Sequence, residues 1–124
     1  MMFEKALESL NAAELCFQQK MYNSTANRAY YAMFQAAIAA LEQVGVRAAK
    51  GSWGHDTLQA VFADQLIRQR KLYPRHFASF LPNGFQTRQL ADYGNEMLSQ
   101  RKARTILHWA REFVKQVEEK QHGR

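Results

Sequence analysis

Apolar positions recur every three or four residues along most of this chain, and period-two alternation is almost absent, which predicts an all-helical protein. Phe3, Leu7, Leu10, Phe17 and Met21 mark one face of a first helix, expected to end near Tyr22. Asn23 and Ser24 suit the cap of a second helix, expected over about residues 25–44. It carries Ala26, Ala29, Ala32, Ala36, Ala37, Ala39 and Ala40, with Tyr30, Phe34 and Leu41 as its bulk. Small side chains let neighbouring helices approach closely, so it reads as the central helix of a bundle. A basic, glycine-containing loop follows over 45–54. Asp56 or Ser52 is expected to cap a third helix with Leu58, Val61, Phe62 and Leu66 on its core face. Pro74 fits the first turn of a fourth helix, with Phe77, Phe80 and Leu81 inward. Pro82-Asn83-Gly84 is expected to break or kink it. A short helical stretch over 85–91 then ends at Asp92-Tyr93-Gly94. Ser99 is placed to cap a last helix with the inward stripe Ile106, Ala110, Phe113 and Val117. The polar tail, from about 117 to 124, is expected to fray.

At 124 residues the chain matches one domain, 1–124, large enough for a real hydrophobic core. A lone cysteine, Cys16, fits a reducing, cytoplasmic setting. No apolar run follows a basic start and no segment reaches the ~20 apolar residues that span a bilayer, so neither a signal peptide nor a membrane helix is expected. The net charge of +6 is unevenly placed. Residues 1–45 hold three basic and four acidic side chains, 46–76 six and two, and 99–124 seven and three. Such an excess suits nucleic acid or an acidic partner, and equally an ordinary solvated surface.

The chemistry the chain lacks narrows the reading. The histidines His55, His76, His108 and His122 include no pair at i, i+4, and there is no second cysteine, so no metal site is expected. No glycine-rich phosphate loop and no strand to precede one are present, so no nucleotide cofactor is implied. What stands out instead is polar residues inside apolar helical patterns. Asn27 and Arg28 sit beside Tyr30 and Tyr31 on the alanine-rich helix, and Arg88 and Asp92 share a helix face with Tyr93 alongside. Burying such groups is costly unless they pair, so the two segments are expected to meet. Asp92 or a glutamate of the first helix is the expected anion for Arg28. Two readings stay open: an internal network that fixes helix register, or an arginine in a cleft that binds phosphate. The predicted cleft comprises Asn27, Arg28, Tyr31, Arg88, Asp92 and Tyr93. Arg104 with His108 also presents an arginine one turn from a histidine, on what reads as a solvated basic face.

Asn27-Arg28-Ala29-Tyr30-Tyr31-Ala32-Met33-Phe34-Gln35-Ala36-Ala37 resembles the second-helix signature of small prokaryotic HEPN-domain proteins. Arg88-Gln89-Leu90-Ala91-Asp92-Tyr93-Gly94 resembles the Arg-x-x-Ala-Asp-Tyr-Gly element of the same group, and Gly54-His55-Asp56 sits where that group has a His-Ser-Gly turn. The similarity runs from about residue 3 to 117. It implies a five-helix, up-and-down type bundle, a homodimer, and pairing with a small nucleotidyltransferase as antitoxin or partner. Members are metal-independent ribonucleases and toxins, or non-catalytic modules that bind RNA, a nucleotide or a partner. The ribonucleases use Arg-x(4–6)-His. Aligned on Arg88, this chain has Tyr93 in place of that histidine, and a neutral phenol is a poor base near pH 7. Arg101 and His108 satisfy Arg-x6-His literally, but in the wrong helix. The expectation is therefore a binding domain of a toxin–antitoxin-type pair. The alternative is a ribonuclease toxin using Arg88 with Tyr93 or with a histidine brought near by folding or dimerisation.

Overall fold

The computed structural model describes residues 1–122. Its helices are α1 (Met2–Gln18), α2 (Tyr22–Gln43), α3 (His55–Phe62, prolonged by a π-helical segment Ala63–Gln69), α4 (Phe77–Tyr93) and α5 (Gln100–His122). Among the described residues there is no strand and no helix long and apolar enough to cross a membrane. The expected all-α, five-helix bundle is thus what the chain forms. The alanine-rich α2 packs against each of the other four helices. Ala26, Ala29, Ala32, Ala36, Ala37 and Ala40 are all buried, and so are Tyr30 and Leu41. Around α2 the core is completed by Leu58, Phe62 and Leu66 of the third helical element, Phe77 and Leu81 of α4, and Ile106, Ala110, Phe113 and Val117 of α5.

Both long N-terminal helices end in the same hydrogen-bonded motif. Val46 N–H donates to the Leu41 carbonyl at 2.9 Å and Gly45 N–H to that of Glu42 at 3.0 Å, with Gly45 at φ 83°. Met21 N–H and Lys20 N–H make the equivalent bonds to Cys16 and Phe17, with Lys20 at φ 62°. These are Schellman caps, which need a left-handed residue just past the helix. Because Lys20 fills that position, α1 ends four residues before the expected Tyr22, and α2 begins there.

Several expectations are corrected. Asn23 and Ser24 do not cap α2. Asn23 lies in its first turn, and its side-chain oxygen accepts from Leu98 N–H at 2.9 Å, tying the approach to α5 onto α2. Gly54, not Asp56 or Ser52, precedes α3, and Asp56 sits in the first turn, where the helix dipole favours a carboxylate. Pro74 lies ahead of α4, in a turn closed by Phe77 N–H on the Pro74 carbonyl at 3.0 Å. Pro82-Asn83-Gly84 does not break α4. Pro82 forgoes one bond, to the carbonyl of the exposed Ala78, which water can satisfy. Gly84 is buried because α4 presses there on α2: a Cβ would lie 2.7 Å from Met33 Cε. The helix at the C-terminus is also longer than expected. Ser99 does cap α5, accepting from Lys102 N–H at 3.2 Å. The helix runs on to His122, held by Gln43 donating to the Lys120 carbonyl at 2.9 Å and Gln121 donating to Gln43 at 2.6 Å. The remainder of the expected frayed tail, 123–124, lies outside the described residues.

Candidate functional site

The two polar segments meet where the N-terminal half of α2 crosses the C-terminal half of α4. Arg88 Nε donates to Asp92 Oδ2 at 3.0 Å, one turn along the same helix, and Asn27 Nδ2 of α2 donates to the same oxygen at 3.2 Å. Arg28 does not reach Asp92 directly. Its Nε and one Nη both donate to Asn27 Oδ1, at 3.0 and 2.8 Å. Asn27 therefore bridges the two arginines' networks, taking Arg28 on its oxygen and passing its amide to the carboxylate. No acidic group among the described residues lies within 4 Å of Arg28. Two guanidinium groups thus sit beside one carboxylate that only Arg88 bonds directly, and the cluster carries a net positive charge.

Tyr31 is the hub. The Arg28 and Arg88 guanidinium carbons lie 5.5 and 5.4 Å from its ring centre, within cation–π range. Arg88 is also 5.7 Å from the Phe85 ring and 6.0 Å from that of Tyr30. Its side chain is only 11% exposed, against 24% for Asp92. Burial alone would lower the Arg88 pKa, but the Asp92 hydrogen bond and the neighbouring charges hold it above the usual value. Arg88 is a permanent cation.

His55, at the start of α3, completes the cluster. The sequence placed it at the turn before the third helix, by resemblance to the His-Ser-Gly turn, and not in the predicted cleft. Its ring lies 4.7 Å from Phe85, 5.1 Å from Phe34 and 6.5 Å from Tyr31, centre to centre. Its Nδ1 is 2.7 Å from the hydroxyl of the fully buried Tyr30. Desolvation, and next the charge of Arg88, lower the His55 pKa against a smaller opposing pull from Asp56, so the imidazole is neutral near pH 7. Burial raises the Tyr30 pKa well above the ordinary phenol range. Nδ1 is the one hydrogen-bond partner of the Tyr30 hydroxyl among the described residues, and a buried phenol that keeps its proton needs an acceptor for it, which directs the Tyr30 proton to His55 Nδ1. The proton of the neutral imidazole then sits on Nε2. That nitrogen has no protein partner and is open to water, since no buried side-chain nitrogen or oxygen among the described residues lacks a partner.

Of the predicted cleft, Asn27, Arg28, Tyr31, Arg88 and Asp92 come together. Tyr93 does not join them: it closes α4 with its side chain 73% exposed and no hydrogen bond within the cluster. The chain turns sharply there because Gly94 lies tight against the helix end, its N–H on the Leu90 carbonyl at 2.9 Å. A Cβ on Gly94 would sit 2.5 Å from that same oxygen. Arg104 packs over the Phe17 ring at 5.7 Å, away from His108, and Arg101 and His108 are exposed two turns apart on α5. His76 pairs with Glu112 at 2.9 Å. Among the described residues no three His, Cys, Asp or Glu side chains converge as a metal site would require. The cluster itself is a shallow surface feature. Hollows of about 450 Å³ beside the 94–99 connection and about 420 Å³ under the 47–53 loop lie away from the two arginines.

Comparison with known proteins places these features. A protein of Methanocaldococcus jannaschii, named as a candidate toxin, is 27% identical over 119 residues, covering 94% of this chain and 83% of the relative. The sequence profile of the HEPN domain matches residues 1–120, nearly the whole chain and both segments of the cluster. The chain belongs to the HEPN domain family.

Proposed function

We propose that this HEPN domain is the toxin-type member of a two-component pair and binds RNA through phosphate at the Arg28–Tyr31–Arg88 cluster, without the ribonuclease chemistry found elsewhere in the family. The observation that carries this reading is two arginines on one tyrosine ring beside a single carboxylate, Asp92, which Arg88 bonds directly and Arg28 reaches only through Asn27. The groups the cluster offers outward are donors: the free N–H groups of both guanidinium ions and His55 Nε2–H. Donors receive a phosphate oxygen, and arginine does so with fork geometry. Cleavage through the 2′-hydroxyl needs an acceptor for its proton. Tyr93 is a phenol on the outside, and the Tyr30 hydroxyl occupies the lone pair of His55. The candidate-toxin relative supports the toxin-type assignment. A homodimer, a small nucleotidyltransferase partner and a cytoplasmic setting complete the proposal, from the family resemblance and the lone Cys16.

The test is incubation of metal-free protein with labelled total RNA, beside Arg88→Ala and Arg28→Ala. The expected result is salt-sensitive retention without cleavage, weakened in both variants. Cleavage that Arg88→Ala abolishes would make the domain a ribonuclease. Neither cleavage nor retention would leave the cluster as a helix-packing device in a partner-binding subunit.

A further inference from the structure

We infer that the groove between α4 and the first half of α5 is a track for single-stranded RNA, a second contact surface distinct from the Arg28–Tyr31–Arg88 cluster. The inference extends the RNA reading above and rests on it for the class of ligand. The groove, about 270 Å³, is lined by Gln86 and Thr87 of α4 and by Arg101, Lys102, Thr105 and Trp109 of α5. Arg88 and Asp92 turn toward α2, so the two surfaces lie on opposite sides of α4.

Three features fit an unpaired strand. First, the charge is of one sign: no carboxylate lines this groove, and neither Arg101 nor Lys102 has an acidic partner within 4 Å among the described residues. Two exposed, unpaired cations at the mouth of a groove are suited to a phosphate backbone. Second, Trp109 offers a partly exposed indole whose position is already fixed, because it stacks on Phe80 at 5.9 Å and 20°. A base can stack on a preset aromatic with little ordering cost, and only an unpaired strand presents its base faces. Third, Gln86, Thr87 and Thr105 place neutral hydrogen-bonding groups between the aromatic and the cations, suited to base edges and sugar hydroxyls. At Leu90 and Lys102 the groove opens into the 450 Å³ hollow beside Met97 and Ser99. From Trp109 to Ser99 the track follows α5 for about 15 Å at 1.5 Å per residue, room for a short run of nucleotides.

The experiment uses the full chain carrying Trp53→Phe, which leaves Trp109 as the sole tryptophan, and a 5′-labelled single-stranded 12-mer oligouridylate. Anisotropy reports binding and indole emission reports stacking. Quenching of Trp109 on binding is expected. The pair Arg101→Glu with Lys102→Glu is expected to weaken binding at least tenfold and to reduce the log–log salt slope by about 1.4, two phosphate contacts at ~0.7 each. The charge-matched control pair Lys50→Glu with Arg75→Glu, exposed elsewhere, is expected to stay within threefold of wild type. Equal losses in the two pairs, an unchanged indole signal, or binding of a hairpin duplex in preference to the single strand would each overturn the track. So would loss of a co-purifying protein rather than of RNA, since the groove would then be a protein interface. Arg88→Ala in the same titration separates the two surfaces. Loss in Arg88→Ala alone refutes the groove and leaves the cluster reading standing. Loss in the groove pair alone supports the groove and refutes the cluster reading.

Discussion

Asp92→Asn separates a phosphate seat from a packing device, because it moves stability and affinity in opposite directions. Asp92 Oδ2 accepts from both Arg88 Nε and Asn27 Nδ2, and among the described residues it is the only carboxylate within 4 Å of Arg88, while Arg28 has none. Asparagine keeps an acceptor oxygen in place and removes the charge. Breaking a fully buried pair costs about 3–5 kcal/mol. Here the carboxylate is 24% exposed, and water screens part of the interaction. The difference between a charge-assisted and a neutral hydrogen bond, about 1–1.5 kcal/mol, is the better guide. For a domain of this size that corresponds to a fall in Tm of about 5 °C. The effect on a bound anion has the other sign. A phosphate on the outer edge of the guanidinium ions lies about 7 Å from the carboxylate, where unit charges interact by about 2 kcal/mol at an effective dielectric of 20. Halved for partial exposure, the lost repulsion is about 1 kcal/mol, or roughly a fivefold gain in affinity per phosphate. The assay is thermal unfolding beside calorimetric titration with a short RNA and with inorganic phosphate at low salt. A lowered Tm with unchanged or weaker anion binding would refute the phosphate seat and leave an ion pair that sets helix packing.

Two further outcomes follow from the same geometry. His55 has a lowered pKa in the fold, so the unfolded chain binds the extra proton first. Stability is therefore expected to fall as pH drops through the ordinary histidine value of about 6.5 and to go on falling until the lowered folded value is reached. His55→Asn, which keeps an acceptor for the Tyr30 hydroxyl, should flatten that part of the curve in thermal melts from pH 7.5 to 5, and an unchanged slope would remove His55 as its source. Lys20 pays a left-handed penalty at the end of α1, at φ 62°. Lys20→Gly is expected to raise stability by about 0.5–1 kcal/mol in urea unfolding, the relief of strain exceeding the added chain entropy.

Periodicity made the bundle legible, but its punctuation was less so. The stripes of α2 and α5 name the core almost residue by residue, since burial on one helix face needs apolar groups three and four apart. The end of α1 was hidden because a lysine occupies a position that glycine usually marks. The continuity of α4 was hidden because Pro82-Asn83-Gly84 has the composition of a turn. Only the neighbouring helix shows that Gly84 is there for close approach. The π-helical run Ala63–Gln69 has no composition signal at all. At the site, the cost of burying Asn27, Arg28, Arg88 and Asp92 foretold that they meet, but not who pairs with whom. The expected Arg28–Asp92 contact is replaced by a relay through Asn27, because Arg88, one turn away on the same helix, reaches the carboxylate first.

His55 shows why a list of residues is not a mechanism. A histidine beside a cationic arginine suggests acid–base work, and His55 lies beside Arg88. Yet its two nitrogens are not equivalent. Nδ1 faces a buried phenol that keeps its proton and has no other hydrogen-bond partner among the described residues. The bond points from Tyr30 to His55, and it leaves the imidazole proton on the nitrogen that meets water. The residue present at the site is then a third donor beside two arginines, while Tyr93 stands exposed at the end of α4. Removing the phenol's hydrogen bond frees Nδ1 and leaves the imidazole able to take either tautomer. Tyr30→Phe is therefore the single substitution that would give this cluster a base on its open side, at a stability cost of about 1–2 kcal/mol for the lost buried bond.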